Sequence, residues 1–182
     1  MRVWKDVADL EDQSDLATDS FDIAEDAPFQ HVITFPNISQ IRVDVDGDVV
    51  SDADYEDMDD ESKKLCTRTY DFARACHLVP VEVKSANTYI KIMKKYIKHL
   101  VSNVYTVKGP AKKAFRAAAT QVFGADGIVS YIKDNFDEFE FFHVDEKFGA
   151  LAGEGMLIPM QWVGGTKPTF HIYEFGTKVV KV

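Results

Sequence analysis

The strongest pattern of apolar and polar positions lies between Lys84 and Phe142. Tyr89, Met93, Tyr96, Ile97, Leu100 and Val104 recur every three or four residues, which puts them on one stripe of a helix. Ser85 stands where a capping side chain is needed. Lys91, Lys94, Lys95 and Lys98 fall on the other faces. Gly109-Pro110 breaks the run, and a second helix follows, with Ala111, Phe115, Ala118, Ala119 and Val122 turned toward the first. Its small alanines allow two helices to approach closely. The segment from Gly124 to Gly127 interrupts the period, and Asp126 is placed to cap a restart carrying Ile128, Tyr131 and Ile132. The pattern predicts an antiparallel helical hairpin over residues 84–135.

On either side the period shortens to two. Strands are predicted at Met1–Asp6, around Phe21 and Ile23, and at Phe29–Phe35, closed by a turn at Pro36-Asn37. Ile41, Val43 and Val45 alternate with Arg42, Asp44 and Asp46, and Asp46-Gly47 precedes a return strand at Val49-Val50. That is the pattern of a type I′ hairpin with one wet acidic face and one buried face. Arg68–Val83 reads as strand, with Pro80 confined to an edge or bulge because it has no N–H for a central ladder. After the helices, Phe136–Phe142, Met156–Val163 and Thr169–Phe175 complete the strand set. Residues 148–155 form a loop, and Gly164-Gly165 supplies the last turn. Strands, helical hairpin, strands is an α+β order, in which N- and C-terminal strands must pair. At 182 residues the chain forms one domain, 1–182.

Charge changes this picture. Residues 1–62 carry nineteen Asp/Glu against three Lys/Arg, whereas residues 84–116 carry nine Lys/Arg and no acid. The basic hairpin therefore stands against an acidic chain of net charge −9. Such asymmetry suits partners that meet one face at a time, and mutual neutralisation of the two regions is the competing reading. Residues 51–66 are acidic and too poor in apolar groups to offset the entropy of ordering, so a mobile loop is expected. Asp44, Asp46, Asp48, Asp52 and Asp54 offer hard oxygen ligands for weakly held calcium. The spacing excludes an EF-hand, whose glycine and terminal glutamate are misplaced or missing.

Candidate chemistry is otherwise thin. No nucleophile elbow, phosphate-binding loop, zinc-protease helix or dinucleotide fingerprint is present, so a non-enzymatic protein is expected. Cys66 and Cys76 are too few for a zinc site or a disulfide framework. The start lacks the apolar core of a secretory signal and no run of eighteen apolar residues occurs, so a cytoplasmic chain with free thiols and no membrane span is expected. The basic helical face lacks base-reading residues and exposed interleaved aromatics, which argues against nucleic acid. Its aromatics lie on the core stripe, which argues against a membrane surface. An acidic protein surface and a merely solvated lysine face remain open.

Several stretches are similar to one family, the translationally controlled tumour proteins. They are Met1-Arg2-Val3-Trp4-Lys5-Asp6, where Arg2 departs from an apolar position, and Glu11 ahead of Ser14-Asp15. Tyr96-Ile97-Lys98 lies in the first long helix, followed by Asn135-Phe136 with the acidic and aromatic run to Phe142. Gly155-Met156, Thr166 with Pro168, and Phe170 complete the set. The family's loop signature has no counterpart in Ser51–Thr69, and Phe175-Gly176 replaces an Asp-Gly pair. The resemblance implies a β-tent sheet core with a projecting helical hairpin and a mobile acidic loop, a fold similar to that of a zinc-dependent chaperone of Rab GTPases but without zinc. It further implies weak calcium binding and the binding and stabilisation of microtubules. For the tubulin contact it points to Lys91, Lys94, Lys95, Lys98, Lys112, Lys113 and Arg116. As an alternative it implies regulation of small or elongation-factor GTPases in growth control, with Glu11 at the GTPase-facing edge.

Overall fold

The structure is a computed structural model that describes residues 1–8, 15–144, 153–164 and 167–182. Thr166, Gly165, Ser14 and most of the predicted 148–155 loop lie outside the described residues. The chain begins with β1 (Arg2–Asp6) and β2 (Asp15–Thr18), then β3 (Val32–Phe35), β4 (Gln40–Val43) and β5 (Val49–Val50). Two short helices, α1 (Asp52–Asp57) and α2 (Asp60–Leu65), lead to β6 (Thr67–Tyr70), α3 (Asp71–Ala75) and β7 (Val79–Val81). The helices α4 (Ala86–Asn103), α5 (Pro110–Val122) and α6 (Ile128–Asp134) precede β8 (Phe139–His143), β9 (Ile158–Val163), β10 (Lys167–Tyr173) and β11 (Thr177–Lys181).

All pairings are antiparallel and make three sheets, ordered β11-β1-β2, β3-β10-β9-β8-β7 and β5-β4-β6. The expected pairing of the two chain ends is present, with Val3 opposite Val180 and Asp6 opposite Thr177. Pro80 sits on β7, at the edge of the five-stranded sheet, where its missing donor costs nothing. Aromatic rings join the sheets into the expected tent. Trp4 meets Phe35 at 5.8 Å, and Tyr70 stands edge-on to Phe142 and Phe170, each at 5.7 Å. Phe72, wholly buried, fills the space between Phe35 and Phe170.

Several predicted elements shift. The second strand is Asp15–Thr18, built on the fully buried Leu16 and Ala17, rather than at Phe21 and Ile23. Residues 19–31 run irregularly along the core instead, tied to β3 by the Ala24 N–H to Thr34 carbonyl bond of 2.9 Å. The hairpin at Gly47 forms, but not as a type I′ turn. Among the residues of the turn only Gly47 has positive φ (84°), and its N–H returns to the Asp44 carbonyl at 3.1 Å, which is a type I turn closed by a glycine bulge. The expected buried face is incomplete: Val50 is buried and Ile41 and Val43 are half-buried, but Val45 and Val49 are exposed. The run Arg68–Val83 contains α3, and the acidic stretch from Ser51 holds α1 and α2, capped by Ser51 and Asp59. Asp126 does not cap α6; Gly127 occupies that position, with no side-chain bond.

Helix α4 packs against the five-stranded sheet. Tyr89, Ile92, Met93, Tyr96 and Leu100 of α4 are buried, Tyr89 lying 5.2 Å from Phe141 and hydrogen-bonded to the Tyr173 hydroxyl. The packing between the helices differs from the alanine-lined contact expected. Ala111 is exposed, α4 packs most extensively against α6, and α5 is seated through Phe115, which stacks on Tyr105 at 4.4 Å and meets Phe175 at 5.6 Å.

Candidate functional site: a basic helical face

The face opposite the buried stripe of α4 carries the site. Ser85 accepts a hydrogen bond from the Thr88 N–H at 3.2 Å and fixes the start of the helix. The 18 residues that follow span roughly 27 Å at 1.5 Å each. Lys91, Lys94, Lys95 and Lys98 stand at i, i+3, i+4 and i+7, and all four are exposed. Gly153, at φ 96°, lies so close to Lys95 that a Cβ there would overlap the Cβ of Lys95, so this glycine braces the foot of that side chain. On α5, Lys113 and Arg116 are exposed, while Lys112 is half-buried and donates to the Thr106 carbonyl at 3.3 Å.

None of these seven cations makes an ion pair among the described residues. The ion pairs there join Arg2 to Asp19, Lys5 to Asp15, His31 to Glu174 and Arg42 to Asp52. The described part of the acidic chain thus gives the helical lysines no counter-charge. Their spacing carries an energetic cost: like charges at i, i+3 and i, i+4 destabilise a helix by about 0.2–0.5 kcal/mol per pair. Lys112 and Lys113 add to it, lying in the first turns of α5, where the helix dipole is already positive. A face arranged against its own helices is more readily explained by something outside the molecule than by stability.

The carboxylates predicted for calcium are distributed differently. Asp44 turns its Oδ1 inward to accept the N–H groups of Asp46 (3.0 Å) and Asp48 (2.9 Å), stabilising the turn. Asp52 pairs with Arg42, whose guanidinium lies 4.3 Å over the Tyr55 ring. Asp54 accepts the Ser51 hydroxyl at 2.5 Å. Among the described residues no group of three or more acidic, histidine or cysteine side chains is placed to hold a metal ion. Glu11 lies outside the described residues. Cys76 is buried, which pushes its thiol up to about 12, and both cysteines are free. No described helix is long and apolar enough to cross a membrane.

The profile of the translationally controlled tumour protein family matches residues 1–178. The chain belongs to this family. Among solved structures, the translationally controlled tumor-associated protein p23fyp of Schizosaccharomyces pombe is similar over the full length of both chains, with 19% identity and a TM-score of 0.66. The translationally controlled tumor protein of Caenorhabditis elegans is similar over all of this chain and 99% of its own, with 23% identity and a TM-score of 0.61. No curated protein matches by sequence. At these identities the two structures speak for the fold, and the family profile speaks for membership. Within the family frame the departures noted in the sequence have a place: the stretch lacking the family's loop signature is where α1 and α2 form, and Phe175-Gly176 forms the turn on which α5 is seated.

Proposed function

We propose that this member of the translationally controlled tumour protein family is a non-enzymatic cytoplasmic docking protein whose basic face, on α4 and the start of α5, meets the acidic surface of tubulin. The observation that carries the reading is the row of four exposed lysines on α4, set at self-repelling spacing with no carboxylate partner among the described residues. Electrostatic complementarity of this kind raises the rate of encounter and fixes orientation. The family resemblance supports the choice of tubulin among acidic partners, and nothing in the described residues favours the GTPase alternative over it.

Replacing Lys91, Lys94, Lys95 and Lys98 together by Glu should abolish sedimentation with microtubules. The melting temperature should hardly change, because all four side chains are exposed and have no ion-pair partner among the described residues. Undiminished co-sedimentation of the fourfold variant would remove the proposal.

A further inference from the structure

On the side of the five-stranded sheet facing residues 24–36 and α6 lies an open cleft of about 640 Å³, a size suited to small molecules. Its walls are aromatic: Phe29 stands edge-on to His171 at 6.1 Å and 5.2 Å from Tyr131, and Trp162 adds a partly exposed ring. Thr34 and His171, from the paired strands β3 and β10, line it as well.

The polar groups in this lining are few and incompletely matched. His171 is only 2% exposed; its Nδ1 shares a hydrogen with Thr34 Oγ1 at 3.2 Å, and its Nε2 has no partner among the described residues. Buried polar atoms without a partner are rare in proteins, and this one belongs to a side chain in the cleft's wall although the atom itself is closed to solvent, so an entering group reaches it by shifting that wall. Gln161 donates from Nε2 to Glu138 at 2.8 Å and to the Tyr131 hydroxyl at 3.1 Å, which leaves its amide oxygen for an incoming donor. Among the residues lining the cleft Glu138 is the one carboxylate and there is no Lys or Arg, so an anion has nothing to meet.

We propose that this cleft binds a neutral, planar aromatic heterocycle whose polar edge carries both an N–H and a C=O. Its ring lies against Phe29 and Trp162, and its polar edge faces His171 Nε2 and the Gln161 amide. The two-sided edge serves either tautomer of His171, since an orphan donor takes the C=O and an orphan acceptor takes the N–H.

The test titrates oxindole, a neutral bicycle with such an edge, into the intact protein, against indane, which has the same shape without it. Histidine-ring and backbone ¹⁵N spectra report the site. Oxindole should move the His171 ring resonances and the amides of Gln161, Thr169 and His171 along one saturating curve. Indane should bind at least about fivefold more weakly, because it leaves the buried groups unmatched. Trp162→Ala and Phe29→Ala alter partly exposed side chains and should each weaken oxindole while the rest of the spectrum stays folded. Equal affinity for indane would overturn the proposal. So would shifts centred elsewhere, no shifts up to about 10 mM (an affinity too weak for a formed site), or undiminished binding by both variants.

Discussion

His171 shows how much one side chain's setting can control. Burial beside the Phe29 and Phe139 rings and the Thr34 hydroxyl lowers its pKa from 6.5 to about 4. The unfolded chain therefore takes up a proton more readily than the folded one, and acidification between those two values favours unfolding. Between about pH 7 and pH 4 the protein should lose roughly 3 kcal/mol more stability than a His171→Gln variant. Urea denaturation across that range measures it, and parallel losses in the two proteins would mean that the imidazole protonates freely while folded. Single residues were readable in the sequence where their role is local. Ser85 caps, Asn37 turns at φ 60°, and Gly47 takes the left-handed conformation at its hairpin. His171 was not readable, because its neighbours Thr34 and Phe29 reach it from more than 130 residues away along the chain.

At the level of elements, periodicity located α4 and α5 almost to the residue, since an amphipathic helix displays its pattern within a few turns. The strands were harder. Phe21 and Ile23 look like strand residues yet only pack partly against the core, while the short Asp15–Thr18 gains its place from pairing with β1. In α3, Phe72 and Ala73 are helical because the three sheets close over them, a demand that no local pattern records. The contact between α4 and the turn Glu174–Gly176 makes a sharper point. A Cβ on Gly176 would overlap the buried Tyr96 hydroxyl and the Met156 methyl, so this turn accepts only glycine without repacking. Gly176→Ala should destabilise the fold by about 1–3 kcal/mol through overpacking, read as a lower urea midpoint. An unchanged midpoint would show that Tyr96 can move aside.

Across the whole molecule the charge asymmetry survives folding. The lysines of α4 and the carboxylates of residues 44–61 remain on separate elements, joined by none of the described ion pairs. The described residues hold no built cage for calcium, so we propose that any association is with the acidic elements as a loose cloud of carboxylates. A calcium titration followed by NMR should move the amides of residues 44–61 gradually, without saturating below about millimolar concentration. Tight saturation would point to a formed site, and stationary amides would dismiss the ion. The fold class was legible because strands flank helices in the sequence. The basic face was legible because charge needs no tertiary knowledge. The arrangement of the carboxylates was not, since spacing along a chain does not reveal which ones turns and ion pairs have already claimed.

The pairing of β1 with β11 bears on how the molecule is made. Backbone bonds join Met1 and Val182 in both directions, at 3.2 and 3.0 Å, and residues 2–6 find their main partners at 177–181. A chain emerging from the ribosome can pair β1 with β2 early, but the other edge of β1 stays open until residues 177–181 have been synthesised, a delay that favours chaperone capture and slow final closure. Once closed, residues 1 and 182 share one corner, so a reporter placed beside either would view the same event.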